Sequence, residues 1–137
     1  MNAVDTNILF YAHDPRDPAK QQIASNLIAG LSEGTLLWQV ACEYLSASRK
    51  LEPIGYSYSD AVEDIRSLRR VWNTVVPNWK AIDRLEALKA NYSLSFWDGL
   101  LIAACLESGV SRLYSEDFSG YGRIESLEVV DPFRAGH

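Results

Sequence analysis

The sequence predicts an α/β fold in which a central parallel sheet of about five strands lies between helices. Short apolar, partly β-branched segments alternate along the 137 residues with longer segments whose apolar residues recur at helical spacing. Parallel strands need a crossover connection, which is usually a helix, so this alternation is typical of βαβ units. The length fits one domain over 1–137, and no internal repeat or linker divides it.

The composition is that of a globular protein, with 47% hydrophobic and 23% charged residues. No apolar run approaches the roughly 20 residues of a transmembrane helix. The N-terminus carries an acid and no basic segment, unlike a signal peptide. We therefore expect a cytoplasmic protein without membrane contact. The net charge of −5 argues weakly against a general nucleic-acid coat protein.

The chain begins with a predicted strand at 3–4, directly before Asp5. Asp5 is the only charged side chain between Met1 and His13, and a carboxylate in an apolar run is costly unless it is hydrogen-bonded, paired or metal-bound. One interpretation is that it caps a helix starting near Ile8. The other is that it lies at the carboxyl end of a parallel strand, where such sheets bind their ligands.

The remaining elements follow from periodicity and from residues that start or stop a helix. Pro18 before and Gly34 after the first long helix fit those rules, and Pro77 ends a strand. The last helix is apolar nearly all round, which predicts burial on most sides. Strands are predicted at 35–38, 74–76, 112–114 and 127–130, and helices at 19–31, 39–50, 57–72, 78–92 and 95–108.

Two cysteines and two histidines make no zinc spacing. Cys42 and Cys105 both lie in apolar helical patterns, so we expect both in the core, where free cysteines are usually found.

Two further acids lie on predicted helices without a cation nearby. Glu43 has no basic neighbour three or four residues away, which makes it a candidate site residue. The alternative is that it lies exposed at the edge of the apolar stripe. Asp98 is the only charged residue in 90–106, and a capping box with Ser95 is its alternative role.

Asp117 follows the strand predicted at 112–114 and so lies at a carboxyl end, as Asp5 does; ordinary turn chemistry before Gly120 is the alternative. Glu116 is either solvent-facing or an outer member of the same site. Four acids that have no basic residue near them in the sequence can share a pocket only if a cation is bound among them. Oxygen ligands without Cys or His favour Mg²⁺ or Mn²⁺, which suit phosphodiester hydrolysis.

Four segments in this order resemble the PIN domain, and more specifically the VapC-type toxins of bacterial toxin–antitoxin pairs. They are Val-Asp-Thr-Asn-Ile-Leu at 4–9, Gln-Val-Ala-Cys-Glu-Tyr-Leu at 39–45, Phe-Trp-Asp-Gly-Leu-Leu-Ile-Ala-Ala at 96–104, and Leu-Tyr-Ser-Glu-Asp-Phe at 113–118. The resemblance covers essentially the whole chain.

The resemblance implies a three-layer α/β/α domain and a Mg²⁺- or Mn²⁺-dependent endoribonuclease. It also implies a homodimer held inactive by a cognate antitoxin whose C-terminal segment covers the site. The implied acidic, metal-binding set is Asp5, Glu43, Asp98 and Asp117, and the implied supporting residues are Thr6, Asn7, Gln39 and Ser115, with Glu116 outside them. The sequence departs from the family at Trp38, where a small polar residue is common, and at Ser115, where the motif frequently has Thr.

Positive charge is concentrated in residues 49–89, which hold eight Lys or Arg against six acids, whereas the rest holds five against twelve. Within it, Arg66, Arg69 and Arg70 recur at one-turn spacing, and we expect them to contact the RNA backbone; a solvated helix surface is the alternative. Trp38 or Tyr11 could stack an unpaired base, with core packing as the alternative.

Two other functions would fit parts of the pattern. A PIN-like module without catalysis would bind RNA or protein but cleave nothing. A receiver-like or phosphatase-like domain would use Asp5 as a nucleophile, with a second acid at position 7 and a lysine late in the sheet. Residue 7 is an asparagine and no lysine follows Lys89, so the sequence lacks both of these features.

Overall fold

Six strands form one sheet in the computed structural model, which describes residues 1–118 and 120–134. They are β1 Asn2–Val4, β2 Gly34–Leu37, β3 Asn73–Val75, β4 Arg112–Tyr114, β5 Arg123–Ile124 and β6 Leu127–Val130. The order is β3-β2-β1-β4-β6-β5, and all neighbours are parallel except β5 and β6. The predicted α/β class is confirmed. The two-residue antiparallel edge strand β5 is additional, and it is too short to leave a periodic signal.

Six α-helices and one 3₁₀ helix connect the strands within the described residues. They are α1 Thr6–Tyr11, α2 Pro18–Gly30, α3 Trp38–Ala47, the 3₁₀ helix Ser48–Ile54, α4 Tyr58–Val71, α5 Trp79–Asn91 and α6 Phe96–Ser108. The helix predicted over 39–50 therefore ends earlier as an α-helix. Pro53 lies inside the 3₁₀ helix and prevents an α-helical turn there, because its ring would clash with the carbonyl four residues earlier.

The strand order fixes where the helices lie. From β1 to β2 to β3 the chain moves outward in one direction, and it then returns past β1 to β4. Because parallel crossovers are right-handed, α1–α4 cover one face of the sheet and α5 and α6 cover the other. The packing of α1 on α2 and α3, and of α5 on α6, agrees with this arrangement. The reversal occurs between β1 and β4, where open sheets form their binding crevice.

The core lies on both faces of the sheet, and α6 contributes most of one half. Its residues Leu101–Cys105 are all buried, as the apolar pattern predicts. Gly99 lets α5 and α6 approach closely, since a Cβ there would lie 2.7 Å from Leu85 Cδ2. This close contact fixes the first turn of α6, which carries Asp98.

Cys105 is buried, as predicted, but the prediction for Cys42 is wrong because its side chain is exposed on α3. Trp38, at the start of the same helix, is 57% exposed, so the core-packing alternative for this residue is wrong as well. Among the described residues, no helix is long and apolar enough to cross a membrane.

Candidate active site

Asp5 lies directly after β1 and is 6% exposed. One carboxylate oxygen accepts a hydrogen bond from the Thr6 backbone N–H at 2.7 Å, and the other accepts one from the Ser115 hydroxyl at 2.8 Å. The first bond caps α1. Asp5 therefore has both roles that the sequence left open, because it caps a helix and lies at the carboxyl end of a strand.

Ser115 and Asn7 join the ends of β1 and β4. The Asn7 amide donates to Ser115 Oγ at 3.4 Å and to Asp117 Oδ2 at 3.2 Å. The Asp117 backbone N–H also donates to Ser115 Oγ, at 3.0 Å. Because this oxygen accepts both bonds, its proton is directed to the Asp5 carboxylate. Asp5 and Asp117 are thus held beside each other through shared partners.

Glu116 makes its side-chain contacts with α1 and α2. It accepts hydrogen bonds from the Tyr11 hydroxyl at 2.7 Å and from Lys20 Nζ at 2.8 Å. Lys20 Nζ also lies 4.5 Å from the centre of the Tyr11 ring. Glu116 therefore holds the Tyr11 side chain through this hydrogen bond.

Glu43 enters the site from α3, through a contact to α6. The Gln39 amide donates to Glu43 Oε1 at 3.1 Å and to the Trp97 backbone carbonyl at 3.1 Å. One turn separates Gln39 and Glu43, so both side chains lie on the same face of α3. Gln39 thereby holds Glu43 and ties α3 to the residue before Asp98.

Asp98 makes only half of the predicted capping box. Its backbone N–H donates to Ser95 Oγ at 3.2 Å, but no hydrogen bond to its carboxylate occurs within the described chain. The helix α4 has the same motif in complete form, where Ser57 Oγ accepts from Asp60 N–H and the Asp60 carboxylate accepts from Ser57 N–H. Capping thus accounts for Ser95 and leaves the Asp98 carboxylate free.

All four acids line one cavity of about 270 Å³. It opens at the carboxyl edge of the sheet, at the crevice between β1 and β4. Among residues 1–118 and 120–134, no lysine, arginine or histidine forms an ion pair with any of the four. The lining residues are Asp5, Thr6, Asn7, Phe10, Tyr11, Gln39, Glu43, Ala47, Lys50, Asp98, Leu101 and Asp117.

The acids influence each other's protonation. Burial raises the pKa of Asp5 to about 6, and the charges of Asp117 and Glu43 add to the rise, against the hydrogen bonds from Ser115 and Thr6. The pKa of Asp117 is also raised, mainly by burial and then by the charges of Asp98 and Glu116. Partial protonation is the expected response of like charges that share a site.

The donor set fits a hydrated divalent cation. No three acidic, histidine or cysteine side chains of the described residues are close enough to hold one ion together. Mg²⁺ ordinarily keeps several waters and takes only one or two carboxylates, so the four acids fit such an ion in part through water. Thr6 Oγ1 and Gln39 Oε1 are both buried without a hydrogen-bond partner among these residues, and both belong to residues that line the cavity.

The predicted arginines do not reach this cavity. Arg66, Arg69 and Arg70 lie exposed on α4; Arg66 pairs with Glu63 at 2.7 Å, and Arg69 lines a different hollow beside Trp38. Conversely, Lys50 and Phe10 line the cavity although the sequence interpretation did not select them. Lys50 could have been found, because it continues the helical stripe of Gln39 and Glu43.

Comparison with known proteins agrees with this architecture. The PIN domain family matches residues 3–121. No curated protein matches the chain by sequence. In fold, the chain is similar to a toxin–antitoxin complex from Klebsiella pneumoniae, with 19% identity, 97% of this chain and 98% of that chain covered, and a TM-score of 0.70.

Two further structures are similar in the same way. One is VapBC-1 from nontypeable Haemophilus influenzae, with 18% identity, coverage of 97% and 98%, and a TM-score of 0.65. The other is Mycobacterium tuberculosis VapC20, described as a toxin that cleaves the sarcin–ricin loop, with 19% identity, coverage of 93% and 99%, and a TM-score of 0.69. The chain belongs to the PIN domain family, as its four sequence segments predict.

Proposed function

We propose that this protein is a Mg²⁺- or Mn²⁺-dependent endoribonuclease and the toxin of a toxin–antitoxin pair. The observation that carries the proposal is the cavity at the β1–β4 crevice, which four carboxylates line without an ion pair to any described residue. A divalent ion bound by Asp5, Glu43, Asp98 and Asp117 would lower the pKa of a bound water and stabilise charge on the phosphate. RNA cleavage in the cytoplasm is the proposed setting.

The chain's own residues would hold and orient this chemistry. Ser115 and the Thr6 backbone N–H fix both oxygens of Asp5, and Gln39 fixes Glu43, so neither carboxylate has to be ordered during the reaction. Asp117 lines the cavity and has a raised pKa. It is the candidate to accept a proton from the attacking water. Arg66, Arg69 and Arg70 remain proposed contacts for more distant RNA phosphates.

A cognate antitoxin is the proposed protein partner. Three of the structures similar in fold are described as toxin–antitoxin or VapBC complexes. By analogy, we expect an antitoxin segment to cover the carboxylate cavity and to block access of RNA. The proposal rests on fold similarity, and the cavity provides the surface on which it can be tested.

A homodimer is the second proposed assembly, and an exposed apolar face supports it. Trp79 is 80% exposed and lines a hollow between α5 and α6. Val76 is 71% exposed and lines a second hollow, beside α3 and β3. We define the apolar face by its six large exposed side chains, Trp38, Val76, Trp79, Ile82, Phe96 and Trp97.

The apolar face suits a second copy of the chain. Its exposed area is on the order of 600 Å², at roughly 150–250 Å² for each aromatic side chain. A standard interface buries about 800 Å² per partner. Exposed side chains lie beside a hollow at both Val76 and Trp79, and a two-fold interface requires each copy to present both a projection and a hollow.

The nuclease proposal is tested by RNA cleavage with Mn²⁺ or EDTA. We expect cleavage by the wild type only with Mn²⁺, and a loss of at least 100-fold in Asp98→Asn, because removal of one electrostatic group of a catalytic site typically costs that much. Folding should survive, since the Asp98 carboxylate accepts no hydrogen bond in the described chain.

Asp83→Asn is the matched control, because Asp83 is an exposed acid on α5 that does not line the cavity. It should cleave RNA at the wild-type rate. RNA binding without cleavage by the wild type, at any Mn²⁺ concentration, would favour the binding-module alternative.

A further inference from the structure

We infer that Lys50 binds a phosphate of the RNA backbone next to the scissile one and so positions the strand across the four carboxylates. This inference rests on the proposed nuclease function. Among the described residues, Lys50 is the only cation that lines the carboxylate cavity.

The position of Lys50 follows from one face of α3. Gln39, Glu43, Ala47 and Lys50 all line the cavity, and their spacing of four, four and three residues is that of a helical stripe. The stripe runs out of α3 into the 3₁₀ helix, which continues it without a break. Lys50 lies seven positions after Glu43, so their backbones are roughly 12 Å apart along the helix axis.

Lys50 is not an internal counter-ion of the four acids within the described residues. Lys50 is exposed and forms no ion pair or hydrogen bond with any residue of 1–118 or 120–134. Lys20 behaves differently, because it is bound to Glu116 at 2.8 Å. Within the described part of the chain, Lys50 is thus an unpaired cation that lines a cavity of four acids.

RNA is a polyanion, and its entry into this acidic cavity requires a cation that can bind a backbone phosphate. The four carboxylates repel phosphate, and a divalent ion bound among them can neutralise only the scissile phosphate and its surroundings. The next phosphate along the strand is left facing an acidic wall. A lysine ammonium is a compact point charge that binds phosphate, and its flexible stem adapts to the strand position.

The inference predicts an effect on binding and not on the chemical step. Lys50→Ala should raise the KM for RNA cleavage about five- to tenfold and leave kcat unchanged, because a contact to a non-reacting phosphate is made equally in the ground and transition states. Lys50→Arg should keep a KM near that of the wild type, since it retains the charge.

Arg49→Ala is the matched control. Arg49 is the preceding residue of the same 3₁₀ helix, is exposed and unpaired in the described chain, and does not line the cavity. It should leave both kinetic constants unchanged. Equal KM values for Lys50→Ala and Arg49→Ala would overturn the inference, as would a loss confined to kcat.

Direct binding gives a second measurement. A short fluorescein-labelled single-stranded RNA of mixed sequence is titrated with Asp98→Asn protein, which is not expected to cleave it, with and without Lys50→Ala. The slope of log K against log salt should fall in magnitude by about 0.7 on loss of Lys50, the value for one phosphate contact to a single strand. An unchanged slope would contradict the inference.

The two proposals fail in different ways. If wild-type protein cleaves no RNA with Mn²⁺, the proposed function itself fails. If it cleaves RNA, and Lys50→Ala has the affinity, salt slope and KM of the wild type, the nuclease stands and the role of Lys50 is wrong.

Discussion

In the absence of a metal, the burial of Asp5 beside other acids opposes the ionisation of its carboxyl group. Its side chain is 6% exposed at the carboxyl end of β1, beside Asp117 and Glu43, and burial raises its pKa to about 6. An ionised carboxylate in that position costs free energy that hydrogen bonds from Ser115 and Thr6 only partly offset. Buried like charges of this kind are typical of sites where stability is exchanged for function.

This conflict predicts how stability depends on pH without metal. From about pH 4, the ordinary Asp value, to the folded-state pKa of about 6, Asp5 stays protonated in the native protein but ionises on unfolding. The native state then binds more protons, so the free energy of unfolding falls as pH rises. The raised pKa of Asp117 acts in the same direction.

Denaturant unfolding in EDTA, at a series of pH values, measures the effect. Two pKa units correspond to about 3 kcal/mol, so Asp5→Asn should gain about that much relative to wild type between about pH 4 and pH 7. Asp83→Asn should follow the wild-type curve. Parallel curves for wild type and Asp5→Asn would mean that Asp5 ionises normally in the folded protein.

At the level of helices, the same sequence motif has two outcomes. Ser-x-x-Asp begins both α4 and α6, but only Asp60 returns its carboxylate to the cap, whereas Asp98 faces the cavity. Sequence alone predicts both helix starts correctly. It does not predict the direction of the Asp98 carboxylate, because that depends on the crevice formed by β1 and β4, which lie far apart in the chain.

The helical pattern also predicts apolar helix faces, but it does not show whether the core or another molecule covers them. Trp38 and Cys42 lie on an apolar stripe of α3, yet both are exposed. A stripe that faces the core and one that faces another molecule have the same periodicity, so the core prediction for Cys42 was wrong for a physical reason. Its exposure is what an interface between copies would produce in one isolated chain.

The proposed homodimer is tested at Trp79, at the start of α5. We expect the wild type to sediment with twice the mass of one chain and Trp79→Glu to sediment as a monomer, because a charge would be buried without a partner. Tyr58→Glu is the control, since Tyr58 is 59% exposed on α4, outside the apolar face. A monomeric wild type at micromolar concentration would contradict the proposed interface.

At the scale of the whole molecule, the topology brings the predicted acids together. Asp5 and Asp117 follow neighbouring parallel strands, so a parallel sheet with β1 beside β4 places them at one edge. That part could be predicted from strand ends alone. Lys50 cannot be selected from strand ends, because it lies on a helix. Only the stripe that it shares with Gln39 and Glu43 indicates it, and exposed lysines on solvated helix surfaces are common.

The most direct test of the central claim is thermal unfolding with Mn²⁺ or with EDTA. If the four carboxylates form a divalent metal site, Mn²⁺ at about 100 times its dissociation constant should stabilise the wild type by about 2.7 kcal/mol, because the unfolded chain has no assembled site. Asp83→Asn should gain equally, and Asp98→Asn should gain much less. Identical melting of the wild type with Mn²⁺ and with EDTA would contradict the metal site and the nuclease mechanism built on it.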